Sequence, residues 1–296
     1  MRPLWQRLVA GVAPQVCRVA SCYRLKGVTR DVERMGVVSC LSVDGISIHF
    51  GGLHAVDGVT FALQSGQIHG LIGPNGAGKT TIFNCITGFY HPTHGSIHFY
   101  DRDITQLRPD QIARLGIART FQNVQLFRSM SALDNLLVAM HSAMRTGIVA
   151  EALALPFVRR QERLVRDKAL EIMEVLGLLG LQQQAAGNLP LGLQKRLELA
   201  RALGLAPQLL LLDEPAAGLN TSETRELAQL LLSIRDRFKL TILLVEHDMG
   251  LVMSLCDTVT VLNFGQKIAE GTPYAVQNNP EVIKAYLGET VGAEQP

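Results

Sequence analysis

Eight consecutive residues, Gly73-Pro74-Asn75-Gly76-Ala77-Gly78-Lys79-Thr80, carry the first chemistry in the chain: they fit G-x-x-x-x-G-K-[ST]. Glycines let a backbone fold tightly enough for its N–H groups to converge, and a helix opening behind them adds its positive end. That combination binds phosphate. Lys79 is placed to reach the β- and γ-phosphates of a nucleotide, Thr80 to ligate Mg2+ through its hydroxyl, and Thr81 belongs to the same nucleotide-binding set. The loop follows an apolar strand at residues 68–72 and precedes a helical pattern, the context that separates a phosphate loop from an ordinary glycine turn.

A second set of candidates lies at strand ends. The apolar run "LLLLDEP" reads as a buried parallel strand that delivers Asp213 and Glu214 at its carboxyl end, where ligands sit in open α/β sheets. Asp213 suits a Mg2+ shell. Glu214, one residue on, suits proton acceptance from a water attacking the γ-phosphate. "TILLVEHD" delivers His247 in the same way, and histidine there can bond the γ-phosphate and orient the water.

The elements that must position these residues are legible from Val38 onward. Strands are expected over 40–50, 55–64 and 68–72, in "GSIHFYDRDI", and at "TVTVLN" and "QKIAEG"; helices are expected at about 79–86, 109–116, 222–238, 249–255 and 280–287. Residues 131–184 are almost wholly helical in pattern. The fold class is therefore α/β, a mostly parallel core interrupted by an all-helical block. At 296 residues the chain has ample core, its net charge is +2 without a nucleic-acid-type basic run, and its five cysteines are scattered with no CxxC. No apolar run approaches the length that crosses a bilayer. His91, His94 and His98 lack the cysteine or carboxylate pattern that completes a metal site.

One helix start is unusual. In "NLPLGLQKRLELARAL", Leu193, Leu197, Ala200 and Leu203 mark a helix, yet Pro190-Leu191-Gly192 precede it and no Ser, Thr, Asp or Asn adjoins the first turn. Such a start retains N–H groups for an arriving anion.

The ordered set Lys79, Gln122 in "RTFQN", "LPLGLQKR", "LLLLDEP", "AGLN" and His247 resembles the ATPase subunits of ABC transporters over essentially all of residues 37–290. The resemblance implies a P-loop NTPase fold of ABC type, with an antiparallel β subdomain and a helical subdomain at about 125–200. It implies ATP and Mg2+ as cofactors, with Phe50 in "IHFGG" stacking on adenine and Gln122 joining the Mg2+ shell. Leu189-Pro190-Leu191-Gly192-Leu193 stands where the family has its signature, usually written LSGGQ, which faces the ATP of the opposite subunit; Gly218, Leu219 and Asn220 would touch that subunit. Pro190, Leu191 and Leu193 depart from the signature and remove donors, so the expected partner is a different ATPase chain whose ATP is clamped weakly.

A finer resemblance is to branched-chain amino-acid uptake systems, through "ARTFQNVQLF", "VEHDMGLVM" and the tail "NNPEVIKAYLGE". It implies an importer at the cytoplasmic face of the inner membrane, with two transmembrane permease subunits, a periplasmic binding protein acting indirectly, and no nucleic acid. Urea or amide import and a regulatory nucleotide-binding module without turnover stay open as alternatives. Residues 123–145, with Leu126, Phe127, Met130, Leu136, Leu137 and Met140, read equally as a groove for a partner helix or as helical core. Residues 1–34 read as a basic extension that is disordered or lies upstream of a true start at Met35, with a membrane-surface arm as the alternative; 35–290 form the ATPase domain and 291–296 a tail.

Overall fold

Among the described residues, six strands form the central sheet in the order β10-β9-β3-β8-β7-β6, and four form a second, antiparallel sheet in the order β2-β1-β4-β5. The computed structural model describes residues 39–120, 125–141 and 156–291. The expectations for residues 1–34 and for Gln122 fall outside them.

In the central sheet, β3 (Ile68–Ile72), β8 (Thr241–Val245), β7 (Leu209–Asp213) and β6 (Ile117–Arg119) run parallel, as do β3 and β9 (Thr258–Asn263). Only β10 (Gln266–Gly271) is antiparallel, on β9. Strands β3, β7 and β8 are buried at every residue, which explains their unbroken apolar runs. Successive side chains feed opposite layers. Leu210 and Leu212 join the core of the helical block, whereas Leu209 and Leu211 join the core shared with the antiparallel sheet.

That antiparallel sheet is built from β1 (Ser39–Phe50), β2 (Leu53–Gln64), β4 (His94–Phe99) and β5 (Arg102–Asp103). "GSIHFYDRDI" is thus two strands rather than one. Tyr100 adopts a left-handed φ of 50° and turns the chain back, a conformation no pattern of side-chain polarity announces.

Among the described residues the α-helices are α1 (Lys79–Ile86), α2 (Pro109–Arg114), α3 (Ala132–His141), α4 (Pro156–Val175), α5 (Leu191–Gly204), α6 (Thr221–Phe238), α7 (Met249–Leu255), α8 (Pro273–Gln277) and α9 (Pro280–Val291). Helices α3, α4 and α5 pack on one another through Leu133, Leu136, Met140, Ala169, Met173 and Leu203. Helix α5 begins two residues before the expected Leu193, and Gly204 packs against Leu136 and Met140 so closely that a Cβ there would approach both within 3 Å.

Candidate nucleotide site

The site grows from the carboxyl ends of four adjacent parallel strands, β3, β8, β7 and β6. Strand β3 runs into the 73–78 loop, β8 into Glu246 and His247, and β7 into Glu214. Strand β6 ends at Arg119, three residues before Gln122 in the sequence. The side-by-side placement of strands far apart in sequence brings these groups together.

The phosphate loop is shaped by close backbone approaches. A Cβ on Gly73 would collide with the carbonyl of Leu262, and one on Gly78 would lie 2.7 Å from the carbonyl of Ala55, while φ is 148° and 99° at the two residues. Only glycine fits there without strain. The β9–β10 turn braces the loop from outside, with the Gly265 N–H donating to the Ala77 carbonyl at 3.2 Å. Lys79 is buried and its Nζ donates to the carbonyls of Gly73 and Pro74 at 2.6 and 2.8 Å, so the ammonium is held within the loop. Asn75, Gly76 and Thr80 are exposed, Thr81 is half-buried, and Pro74 and Ala77 are buried. No side chain caps α1.

Two adjacent carboxylates at the end of β7 have different surroundings. The Asp213 side chain is 7% exposed and its Oδ2 accepts from Arg119 Nη2 at 2.7 Å. Glu214 is more open and its Oε1 lies 3.9 Å from Nδ1 of the exposed His247. Glu214 also has a left-handed φ of 49°, and its N–H donates to the Val245 carbonyl at 2.9 Å. A left-handed glutamate is an uncommon, costly conformation of the kind found where a side chain must be aimed.

The turn after Glu214 is gripped from two directions. Glu246 Oε1 accepts from the Ala216 N–H at 2.8 Å, and Glu246 Oε2 from the His247 N–H at 3.2 Å. Lys195 Nζ, from α5, donates to the carbonyls of Pro215 and Ala217 at 2.8 and 2.5 Å. Burial pushes the Glu246 carboxyl above its ordinary range and the Lys195 ammonium below its own, and the attraction between them opposes the second shift.

The signature-like segment and the 218–220 segment adjoin. A Cβ on Gly192 would lie 3.3 Å from Glu223 Oε1 and 3.9 Å from Leu219 Cδ2, and one on Gly218 would lie 3.2 Å from Leu191 Cδ2. Pro190 is the residue before α5, and no side chain caps that helix. The Pro190 carbonyl accepts from the N–H groups of Leu193 and Gln194, and Gln194 Nε2 donates to the Leu189 carbonyl at 2.7 Å. Leu189 is buried and Leu191 exposed. Asn220 caps α6, its side chain accepting from the N–H groups of Ser222 and Glu223.

Phe50 ends β1, about half exposed, with its ring edge-on to Tyr90 at 5.3 Å between centroids. In the 123–145 stretch Leu136 and Met140 are core and Leu126 and Leu137 pack against it, while Phe127 and Met130 are exposed. The helical-core reading thus holds for Leu136 and Met140, and the groove reading stays an expectation for the exposed Phe127 and Met130. Sequence reasoning missed Arg119, Lys195 and Glu246 as members of the site. Each was a charged residue beside a recognised motif, the only signal that pointed to it.

The chain as a whole is similar to known proteins. The family model described as "ABC transporter" matches residues 56–217, and a second, described as "Branched-chain amino acid ATP-binding cassette transporter", matches residues 266–291. The chain is 50% identical over 249 residues to the high-affinity branched-chain amino acid transport ATP-binding protein LivG of Salmonella typhimurium, covering 84% of this chain and 98% of that one. It is 48% identical over 249 residues to BraF of Pseudomonas aeruginosa, a protein of the same description, with the same shares covered. The crystal structure of the ADP conformation of MJ1267, an ATP-binding cassette of an ABC transporter, superposes with a TM-score of 0.74 at 32% identity, over 84% of this chain and 99% of that one. The phosphate loop, the strand-end acids and these likenesses lead to one conclusion: the chain belongs to the ABC transporter family as an ATP-binding subunit, an ATPase that energises transport.

Proposed function

We propose that this chain hydrolyses ATP to drive uptake of branched-chain amino acids, as a peripheral subunit on the cytoplasmic face of the inner membrane. The observation that carries the reading is the convergence of the phosphate loop, Asp213, Glu214 and His247 on neighbouring strand ends, in a chain half identical to LivG. Among the described residues no helix is long and apolar enough to cross a membrane. Two permease subunits are the expected path for cargo.

The residues fit a magnesium nucleotide. The loop is a cradle that a Cβ at Gly73 or Gly78 would fill, and the donors beside it, the Thr80 hydroxyl and the Asp213 carboxylate, are the hard oxygens that Mg2+ prefers. Gln122 is the third expected ligand. Bound there, Mg2+ would supply positive charge that offsets the charge of the triphosphate. Lys79 would exchange its loop carbonyls for phosphate oxygens, with backbone N–H groups of the loop as further donors. Phe50 stacks on adenine. Glu214 takes the proton of the attacking water, and His247 orients that water against the γ-phosphate.

The remaining contacts come from a second ATPase subunit, expected to be a different chain. Leu189, Pro190, Leu191, Gly192 and Leu193 present the bare start of α5 to that subunit's ATP, and Gly218, Leu219 and Asn220 lie beside them. Reconstitution with the permease pair and a periplasmic binding protein in vesicles tests the reading. Expected is ATP-dependent accumulation of leucine, isoleucine or valine; accumulation of urea or amides instead, or ATP binding without phosphate release, would replace it.

A further inference from the structure

Arg119 joins three parts of the site. Its side chain is 9% exposed, at the end of β6. Nη2 donates to Asp213 Oδ2 at 2.7 Å, and Nη1 donates to Asn84 Oδ1 at 2.7 Å and to Thr87 Oγ1 at 3.4 Å. The guanidinium carbon lies 5.5 Å from the centroid of the Phe83 ring. Phe83 and Asn84 belong to α1, the helix that carries Lys79 and Thr80, and Thr87 closes it. One planar group thus ties the metal-side acid of β7 to the far end of the phosphate-loop helix.

We infer that Arg119 is a positioning residue for the Mg2+-binding carboxylate: by taking Oδ2 of Asp213 while anchored on Asn84, it assigns Oδ1 to the metal shell and fixes its distance from Thr80. The inference rests on the reading of Asp213 as a metal-shell residue. Arginine suits the task because its fork reaches two acceptors at once in a fixed plane, which an ammonium cannot do. The adjacent Glu214 faces His247 instead, so the arginine separates two neighbouring carboxylates into a fixed one and an aimed one. Groups that orient a metal ligand from behind affect metal affinity strongly without touching the ion.

The test uses the full chain with Arg119→Gln, Arg119→Lys and Asp213→Asn. A fluorescent ATP analogue is titrated in EDTA, and Mn2+ binding to the nucleotide complex is followed by electron paramagnetic resonance. Arg119→Gln is expected to keep its nucleotide affinity in EDTA and to lose about tenfold in Mn2+ affinity. Arg119→Lys, which keeps the charge but not the fork, is expected to fall between it and the parent, and it carries the test by the same two readouts should Arg119→Gln fail to fold. Unchanged Mn2+ affinity in the arginine variants, with a clear loss in Asp213→Asn, would overturn the inference. So would equal losses of nucleotide and Mn2+ affinity, which mark a purely structural ion pair. If Asp213→Asn also leaves Mn2+ affinity intact, the assignment of Asp213 itself fails, and the inference with it.

Discussion

Helices α1 and α5 both begin without a side-chain cap, one after Gly78 and one after Pro190. Elsewhere Asn220, Asp248 and Thr272 each turn a side-chain oxygen back onto the N–H groups of the helix they precede. A bare start keeps its donors for something else. The two bare starts differ in their walls. Gly78 is left-handed and enclosed by the Ala55 carbonyl and by Val56, so the first is rigid and shaped within a single chain. Pro190 is extended, and Leu191 beside it is exposed, so the second is open to solvent. On the proposed reading both bare starts serve as phosphate sites, one built within the chain and the other facing a second subunit.

The largest test of this contrast removes chemistry from the first site while leaving binding intact. Glu214→Gln should retain ATP and lose turnover by about 100-fold or more, read as phosphate release against nucleotide binding. Brisk hydrolysis in that variant would take the base role from Glu214. Next come the two glycines. Gly78→Ala places a Cβ 2.7 Å from a backbone carbonyl at a φ of 99° and should cost about 1–3 kcal/mol, read as a lower melting temperature and weaker ATP binding. Gly192→Ala meets the end of the Glu223 side chain at 3.3 Å and Leu219 at an ordinary 3.9 Å, and should leave stability within about 1 kcal/mol while weakening ATP-driven association of subunits. Equal effects of the two substitutions on single-chain ATP binding would erase the distinction between the sites.

A gain-of-contact pair sharpens it further. Pro190→Ser with Leu193→Gln restores donors and should tighten ATP-dependent pairing by about 1 kcal/mol, measured by sedimentation of the Glu214→Gln background with its partner. The smallest effect lies away from both starts. His69, in β3, is fully buried with Nε2 2.9 Å from Thr260 Oγ1, and burial lowers its imidazole from 6.5 to about 4. A depressed value means the unfolded chain binds the proton first, so stability is full above 6.5 and falls as pH drops toward 4. Between pH 7 and 5 the loss should be about 1–2 kcal/mol and should vanish in His69→Gln, as read by denaturant melts.

What the sequence made legible follows from how its information is laid out. The phosphate loop, "LLLLDEP" and "TILLVEHD" are local: residue type and near spacing carry them, and the elements appear where expected. The partners of those residues are not local. Arg119 and Asp213 are 94 positions apart, and Glu246 and Ala216 are 30 apart, so the pairings exist only once β6, β7 and β8 align. Strand β6 has three residues, too few for any periodicity to register. The Tyr100 turn and the left-handed Glu214 are backbone states that side-chain patterns do not encode.

The grip on residues 215–217 has a mechanical consequence. Lys195 belongs to the helical block and Glu246 to the sheet, yet both hold the same short turn. Any rocking of that block must either carry the turn along, and Glu214 with it, or break charged bonds worth about 1.5–3 kcal/mol each. The joint therefore transmits force rather than swinging loose, and, on the proposed reading of the chain as a permease-bound ATPase, a push on the block would reach the nucleotide as a change in where Glu214 points.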